Sequence, residues 1–202
     1  MAEIASLEAL RSLYREPSER AVRKQLDRLD AHCRRFVSLS PFLVIASTDA
    51  EGRVDASPRG GDPGFVKILD ERTLLIPDSP GNNRLDSLQN LIGRPGVGLL
   101  FMIPGVDETL RINGRASLRT DDALLALCAN ERRRPPLVIA VEVREAYLHC
   151  AKSLMRSKLW DAGAKLERSA LPSMGQMLKD QIGAQSEPES NKAMRARYEK
   201  DL

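Results

Sequence analysis

The sequence predicts a mainly β protein of the α+β class, in which an antiparallel barrel carries helical extensions at both ends. Short apolar runs joined by hairpin turns fill the middle of the chain. Helical segments interrupt these runs but do not alternate with them, which favours an antiparallel barrel over a parallel sheet. The 202 residues can bury a sizeable core. We divide them into an N-terminal helical extension (1–40), a barrel domain (41–150), and a C-terminal helical segment with a polar tail (151–202).

The N-terminal extension is predicted to be helical over residues 5–37, with a break at residues 16–18. Ser18 is expected to cap the helix that follows the break. Beyond this cap, apolar residues recur at steps of three and four, as on a helix with one buried face. They are Val22, Leu26, Leu29, Cys33 and Phe36. We expect this helix to cover a face of the barrel or to extend a subunit interface.

Strand signals begin at Pro41 and come in pairs. The apolar run 42–47 is followed by a turn at residues 49–52 and a returning strand at residues 53–58. A second hairpin joins residues 65–69 to residues 73–76. Residues 85–92 then predict a short helix that ends at Gly93 and Pro95.

The second half predicts another antiparallel pair, a helix and a last strand. Residues 96–103 and 109–118 form the pair, and residues 121–129 form the helix. Residues 136–143 predict the last strand, and residues 151–160 a helix with a basic face. The charged stretch 183–202 is expected to be a solvated tail or a loosely docked helix.

The composition argues against nucleic-acid and membrane binding. The net charge is only +3, and aromatic residues make up 4% of the chain, too few for a row of base-stacking platforms. The N-terminus lacks a signal-peptide pattern, and no run reaches the roughly 18 apolar residues of a spanning helix. The three cysteines form no close pair, so neither a disulfide framework nor a metal site is predicted. We expect a cytoplasmic protein whose cysteines are buried or half-buried free thiols.

Two segments place cationic and small residues between apolar strands. The first contains Ser57, Pro58, Arg59 and Gly60, and the second contains Ile76, Pro77, Asp78, Asn82, Asn83 and Arg84. Guanidinium groups match phosphate oxygens bidentately, and the start of a helix leaves free N–H groups that favour an anion. We interpret the two loops as a phosphate-binding grip. The residues alone are also compatible with a solvated Arg59 and with Asn82 and Asn83 as helix caps.

In this order, the loops resemble those of the pyridoxamine 5'-phosphate oxidase-like flavoproteins, which are built on the FMN-binding split barrel. The similar subgroup has a Ser-Pro-Arg-Gly-type first loop, a Pro-Gly-Asn-x-Arg second loop, and a later segment like residues 149–160. The resemblance covers residues 42–160. It implies an FMN cofactor whose phosphate contacts Arg59 and Arg84.

The resemblance also implies roles for the remaining loop residues. Asn82 and Asn83 would add amide donors to the phosphate site. The backbone of Ser57, Pro58, Ile76, Pro77 and Asp78 would run along the flavin ring, and Gly60 would let the ligand approach. Pyridoxamine-phosphate oxidase itself has an adjacent Arg-Lys pair in the second loop, whereas this chain has Asn83 and Arg84. The identity of the substrate therefore stays open.

The C-terminal helix is implied to reach the flavin pocket across a dimer interface. Lys152 and Arg156 would lie on the anionic side, one turn apart on the same helix face, and Trp160 would lie near the ring. The residues alone fit a solvated cationic face, with Trp160 as ordinary core packing. His32 and His149 lack partners at metal-ligand or triad spacing, and we assign no catalytic residue.

The resemblance implies a homodimer with composite flavin sites, which oxidises or reduces a small molecule by flavin chemistry. Two alternatives stay open at this point. One is a flavin-binding carrier or sensor without turnover, and the other is a haem-binding module on the same barrel. A deazaflavin in place of FMN is also compatible with the sequence.

Overall fold

A computed structural model describes residues 3–200 of the chain. The chain divides into two compact units, and the boundary along the sequence lies between Arg156 and Ser157. The first unit contains a seven-stranded antiparallel sheet with helices, and the second contains short helices. The first unit therefore has the mainly β architecture with helices that the sequence predicts.

The sheet has the order β2-β1-β5-β6-β7-β4-β3, so β2 and β3 are its two ends. The strands are β1 Phe42–Thr48, β2 Val54–Gly60, β3 Lys67–Ile68, β4 Thr73–Pro77, β5 Gly96–Ile103, β6 Val106–Arg119 and β7 Val138–His149. Arg59 on β2 donates a hydrogen bond to Asp78, which directly follows β4, at 3.1 Å. The sheet therefore curls until its two ends approach each other, as in a split barrel.

Six helices accompany the sheet, and two more belong to the second unit. They are α1 Leu7–Arg11, α2 Glu19–Arg23, α3 Ala31–Leu39, α4 Asp86–Gly93, α5 Asp122–Cys128, α6 Lys152–Ser157, α7 Met174–Ile182 and α8 Asn191–Tyr198. Within residues 3–200, the helices are too short or too polar to cross a membrane.

The core lies inside the curled sheet and is closed by two helices. Alternate residues of β1 and β5, such as Leu43, Ile45 and Phe101, are fully buried, as expected for strands with one face on a core. Phe36 of α3 and Leu88 of α4 belong to the same apolar cluster. The burial of their apolar side chains is the main force that holds both helices on the barrel.

The prediction of one N-terminal apolar helix is wrong, although the Ser18 cap is confirmed. Ser18 Oγ accepts from Ala21 N at 3.3 Å at the start of α2. The helix then ends at Arg23, with Lys24 as its C-cap, because Leu26 exchanges two backbone hydrogen bonds of 3.0 and 2.8 Å with Ala146 of β7. A new helix, α3, starts only after Asp30. Val22, the first residue of the predicted stripe, is 59% exposed.

The C-terminal predictions also need correction. β7 extends to His149, six residues beyond the predicted end, because residues 145–149 continue to pair with β6. The helix α6 ends at Ser157, and Lys158 has a φ of 52°, so Trp160 lies outside the helix. The stretch 183–202 contains α8, whereas α7, capped by Ser173, was not predicted.

One glycine allows the close pairing of the two longest strands. The β6–β7 register shifts between Asn113 and Gly114. A Cβ atom at Gly114 would lie 2.1 Å from the carbonyl oxygen of Glu142, a distance that no side chain can accept. Glycine is therefore required at this bulge.

The expectation of buried or half-buried thiols holds for two of the three cysteines. Cys33 and Cys128 are buried, Cys150 is exposed, and none forms a disulfide. Burial is the main cause that raises the pKa of Cys33 to about 12. Cys33 is therefore an unreactive core residue at neutral pH.

The cap of α3 gives a pH-dependent prediction. Asp30 Oδ1 accepts from Cys33 N at 2.8 Å, and this hydrogen bond is the main cause that lowers the pKa of Asp30. Asp30→Ala should cost about 1 kcal/mol of unfolding free energy at pH 7. A depressed folded-state pKa means that the stabilisation exists above the unfolded pKa of about 3.9 and disappears as the pH falls below it.

Urea unfolding of wild type and Asp30→Ala at neutral and acidic pH measures this effect. The difference between the two proteins should shrink on acidification. Asp62→Ala, which removes an exposed carboxylate, serves as the control and should change stability little at either pH. An Asp30→Ala effect of the same size at both pH values would contradict the assignment.

Candidate functional site

Arg59 lies where β2 faces the core of the sheet. It stands opposite Leu43 on β1, and paired residues project to the same face. Its side chain is only 18% exposed, and its Nη1 donates to Asp78 Oδ1 at 3.1 Å. Its Nε is buried and has no hydrogen-bond partner within residues 3–200. The Arg59 guanidinium is thus largely buried, and its Nε–H is a buried donor without an acceptor in the described chain.

A second arginine, Arg133, reaches the same aspartate from the loop before β7. Its Nη2 donates to the backbone oxygen of Asp78 at 3.1 Å and to Ser79 Oγ at 2.9 Å. Its Nη1 is buried and, in the described chain, likewise has no partner. We refer to Arg59, Asp78 and Arg133 as the arginine centre.

The arginine centre has more donors than acceptors. Each guanidinium carries five N–H donors and no acceptor, whereas one carboxylate serves Arg59 and one backbone oxygen and one hydroxyl serve Arg133. Two arginines and one aspartate leave a formal charge of +1. An unsatisfied buried donor costs about 1–3 kcal/mol, and more when it is charged. An anion that accepts these hydrogen bonds would remove this cost.

Arg84, the other predicted phosphate ligand, lies in a different environment. It is exposed, and its Nε donates to Asp86 Oδ2 at 2.7 Å, which is the main cause that raises its pKa. No described hydrogen bond or ion pair joins it to Arg59. Arg59 and Arg133 therefore share Asp78 as a hydrogen-bond acceptor, whereas Arg84 forms a separate ion pair with Asp86.

Asn82 and Asn83 do not cap α4. Asn82 Oδ1 accepts from Arg84 N at 3.1 Å, and the N-cap residue of α4, Leu85, makes no side-chain cap bond. Asn83 and Leu85 have φ values of 57° and 60°, a conformation that is uncommon outside glycine. The loop thus turns sharply before α4 and leaves the first N–H groups of this helix without a side-chain cap.

The loop between β4 and α4 is anchored at both ends. Arg133 binds its first two residues, Asp78 and Ser79. At the other end, the buried Ser87 of α4 donates to Asp55 Oδ2 on β2 at 2.7 Å. The loop is therefore held between the two ends of the sheet.

The other residues predicted in the two loops differ in burial and in the face of the sheet on which they lie. Ser57 shares the face of Arg59 on β2, whereas Pro58 and Gly60 project to the opposite, exposed face. Ile76 is fully buried and faces Ile139 on β7, and Pro77 faces Val138. These two pairs place the end of β4 beside the start of β7.

Two of the residues predicted near the C-terminus, Lys152 and Arg156, form no described hydrogen bond or ion pair with the arginine centre. Lys152 and Arg156 are exposed and lie one turn apart on α6. Trp160 is partly buried and belongs to the second unit. Their contribution to a ligand site stays a prediction.

The chemistry available at the arginine centre is anion binding. Within residues 3–200, His, Cys, Asp and Glu form no cluster of three or more that could hold a metal ion. The centre offers charged N–H donors from two arginines around one aspartate. These donors suit a ligand that carries a phosphate group.

Sequence reasoning missed Arg133. It is the middle residue of three consecutive arginines, and such a run is usually solvated. The signal that could have identified it is the pairing of Pro77 with Val138, because this pairing brings the loop before β7 beside Asp78. A single sequence does not show this long-range pairing.

Several solved structures are similar to this chain at low sequence identity. A HupZ variant from Group A Streptococcus is 14% identical, with a TM-score of 0.50 over 60% of this chain and 99% of that chain. An FMN-binding protein from Syntrophomonas wolfei is 8% identical, with a TM-score of 0.44 over 58% and 88%. HutZ, the heme storage protein from Vibrio cholerae, is 15% identical, with a TM-score of 0.41 over 60% and 94%.

Similarity at this level bears on the fold alone. Comparison with curated proteins gives no match. The family model for pyridoxamine 5'-phosphate oxidase, in contrast, matches residues 29–150, which is more than half of the chain and includes every strand of the sheet. On this match and on the architecture of its sheet, the chain belongs to the pyridoxamine 5'-phosphate oxidase family.

Proposed function

We propose that the chain is a flavoprotein that binds the phosphate of FMN at the arginine centre and uses the flavin to oxidise or reduce a small molecule. The observation that carries this proposal is the pair of partly buried guanidinium groups, each with one buried nitrogen atom that has no hydrogen-bond partner in the described chain. A phosphate monoester offers several acceptor oxygens and close to two negative charges, which fit the donors and the net positive charge. Family membership supports a flavin as the molecule that carries this phosphate.

The phosphate competes with Asp78 for Arg59. The unpaired nitrogen atoms of Arg59 and Arg133 are covered by neighbouring atoms, so a ligand reaches them only when a neighbouring group moves. The Asp78 carboxylate is the acceptor that now occupies Arg59. Arg133 can keep its hydrogen bonds to Asp78 O and Ser79 during this exchange, because neither involves the carboxylate.

FMN, when bound, supplies reversible redox chemistry, and the protein supplies its position and its environment. Arg59 and Arg133 would hold the phosphate, and the backbone of Ser57, Pro58, Ile76, Pro77 and Asp78 would lie beside the ring. Arg84, Asn82 and Asn83 lie on the loop anchored next to the centre, where they add donors. Lys152, Arg156 and Trp160 are proposed to complete the pocket from the partner subunit.

We also propose that the working unit is a homodimer with composite flavin sites. The outer face of the sheet carries a row of partly buried apolar side chains on β1 and β5, in which Phe42 faces Met102 and Val44 faces Leu100. A second copy of the chain would bury this surface and bring its own residues to the flavin.

The proposal predicts that FMN binds more tightly than riboflavin. The two ligands differ only by the phosphate, so the unpaired donors of the centre should favour FMN at least tenfold, or by about 1.4 kcal/mol. Calorimetric titration of the purified protein with each ligand measures this difference. Arg59→Gln and Arg133→Gln should each weaken FMN binding by about 1.5–3 kcal/mol, and Arg133→Gln, which leaves the Arg59–Asp78 ion pair intact, should leave riboflavin binding nearly unchanged.

Arg134→Gln is the matched control for this experiment. Arg134 is the neighbour of Arg133 but is exposed and paired with Asp122, so its loss should not change FMN affinity. Equal affinities for FMN and riboflavin would reject the phosphate site. A steady-state rate with a reductant and an acceptor then separates an oxidoreductase from a flavin carrier without turnover.

The dimer is tested by light scattering at micromolar concentration. The expected mass is twice the 22.4 kDa of one chain. Val44→Lys together with Leu100→Lys places two charges on the proposed interface and should give the monomer mass. Ile92→Lys, at an exposed position of α4, is the control and should remain dimeric. A wild-type mass of one chain would refute the proposal.

A further inference from the structure

Outside the arginine centre, two cationic side chains converge on Tyr147. Arg111 on β6 stands directly opposite Tyr147 on β7, and its Cζ lies 5.3 Å from the centre of the tyrosine ring. Lys24 Nζ lies 5.7 Å from the same ring and donates to the backbone oxygen of Leu148 at 2.9 Å. Both distances are in the range of cation–π contacts.

Lys24 is held there by the backbone. The segment after α2 is fixed to β7 by the two hydrogen bonds between Leu26 and Ala146. Lys24 lies two residues before this bridge. Lys24 is therefore positioned by the pairing of Leu26 with Ala146 and by its own side-chain hydrogen bond to Leu148.

His149 adds a third nitrogen-bearing group. It lies two residues after Tyr147 on β7, and so on the same face of the strand. Its pKa is lowered, first by partial burial and then by the positive charges of Lys24 and Arg111. The imidazole is therefore mainly neutral at neutral pH and can donate one N–H.

No carboxylate neutralises this group within residues 3–200. The acidic residue on the same face of β7 is Glu145, whose Oε2 accepts from Asn113 Nδ2 at 2.9 Å. Lys24, Arg111 and His149 make no ion pair with Asp or Glu in the described chain. Two positive charges and a histidine thus remain beside one aromatic ring without a counter-ion.

This cluster is separate from the arginine centre. Arg111 shares a row across the sheet with Leu100, Val44 and Pro58, which lie on the outer face. Arg59 shares the next row with the buried Leu43 and therefore projects to the inner face. The two groups of cations lie on opposite faces of the same sheet.

We propose that Lys24, Arg111 and His149 form a second anion site, which binds the phosphate group of a small molecule beside Tyr147. Two fixed positive charges match a dianion, the guanidinium of Arg111 can bind two phosphate oxygens, and His149 donates one hydrogen bond. The inference does not use the arginine centre, because its residues lie on the other face of the sheet; Arg111 stands opposite Leu100 of the proposed dimer surface, so in the homodimer this site would border the subunit interface.

The proposal is tested by measuring the pKa values of the two histidines of the chain. The probe is sulfate, a tetrahedral dianion whose charge stays constant while histidine titrates, and chloride at equal ionic strength is the reference. A bound dianion should raise the pKa of His149 by about one unit, as followed by NMR. His32 is exposed on α3 and serves as an internal control that should not respond.

Two double variants test whether the sulfate-induced rise in the pKa of His149 requires Lys24 and Arg111. In Lys24→Gln/Arg111→Gln, the pKa of His149 should already be higher in chloride, because two repelling charges are gone, and sulfate should raise it no further. Arg115→Gln/Arg144→Gln removes two exposed cations from the same strands and should behave like the wild type. An equal response of both histidines, or a sulfate response that survives in the first variant, would overturn the proposal.

Two organic anions distinguish phosphate from carboxylate. At neutral pH, phenyl phosphate should shift the His149 signals and benzoate should not, whereas equal shifts would overturn the assignment to phosphate. The arginine centre is intact in both double variants. FMN titration of the same proteins therefore reports on the proposed flavin site separately.

Discussion

The ion pair between Arg59 and Asp78 is the contact on which the rest of the site depends. Arg59 belongs to β2, at one end of the sheet, and Asp78 follows β4, close to the other end. Both side chains are more than four-fifths buried, so solvent screens this pair less than a surface pair. Removal of one partner would leave the other as an uncompensated buried charge. The same contact therefore brings the two ends of the split barrel together and holds a largely buried cation between them.

Arg133 turns this structural contact into a candidate binding site. Its hydrogen bonds to Asp78 O and Ser79 fix the loop after β4 without consuming the Asp78 carboxylate. The carboxylate can then move while the loop stays in place. On the outer face of the same sheet, Arg111 and Lys24 form a second group of cations around Tyr147. A protein with a net charge of only +3 thus concentrates positive charge at particular positions on both faces of one sheet.

The sequence predicts individual helices and strands well, but it predicts poorly which distant segments pair with one another. The bounds of β5 were predicted to the residue, because its apolar run is continuous, and Arg59 was identified because a serine-proline-arginine-glycine segment ends a strand. The apolar stripe after Val22 was misinterpreted because Leu26 pairs with Ala146, 120 positions away. Arg133 was missed for a similar reason, since only the pairing of β4 with β7 brings it to Asp78. Side-chain chemistry is visible in a sequence, whereas strand neighbours far apart in the chain are not.

The central claim is that the unpaired donors of the arginine centre bind the phosphate of FMN. NMR of nitrogen-labelled arginine side chains observes these donors directly, and an Arg59→Lys variant assigns the Nε–H signal of Arg59. Addition of FMN should shift this signal and slow its exchange with water, whereas riboflavin should leave it unchanged. An Arg59 Nε–H signal that does not respond to saturating FMN would contradict the account.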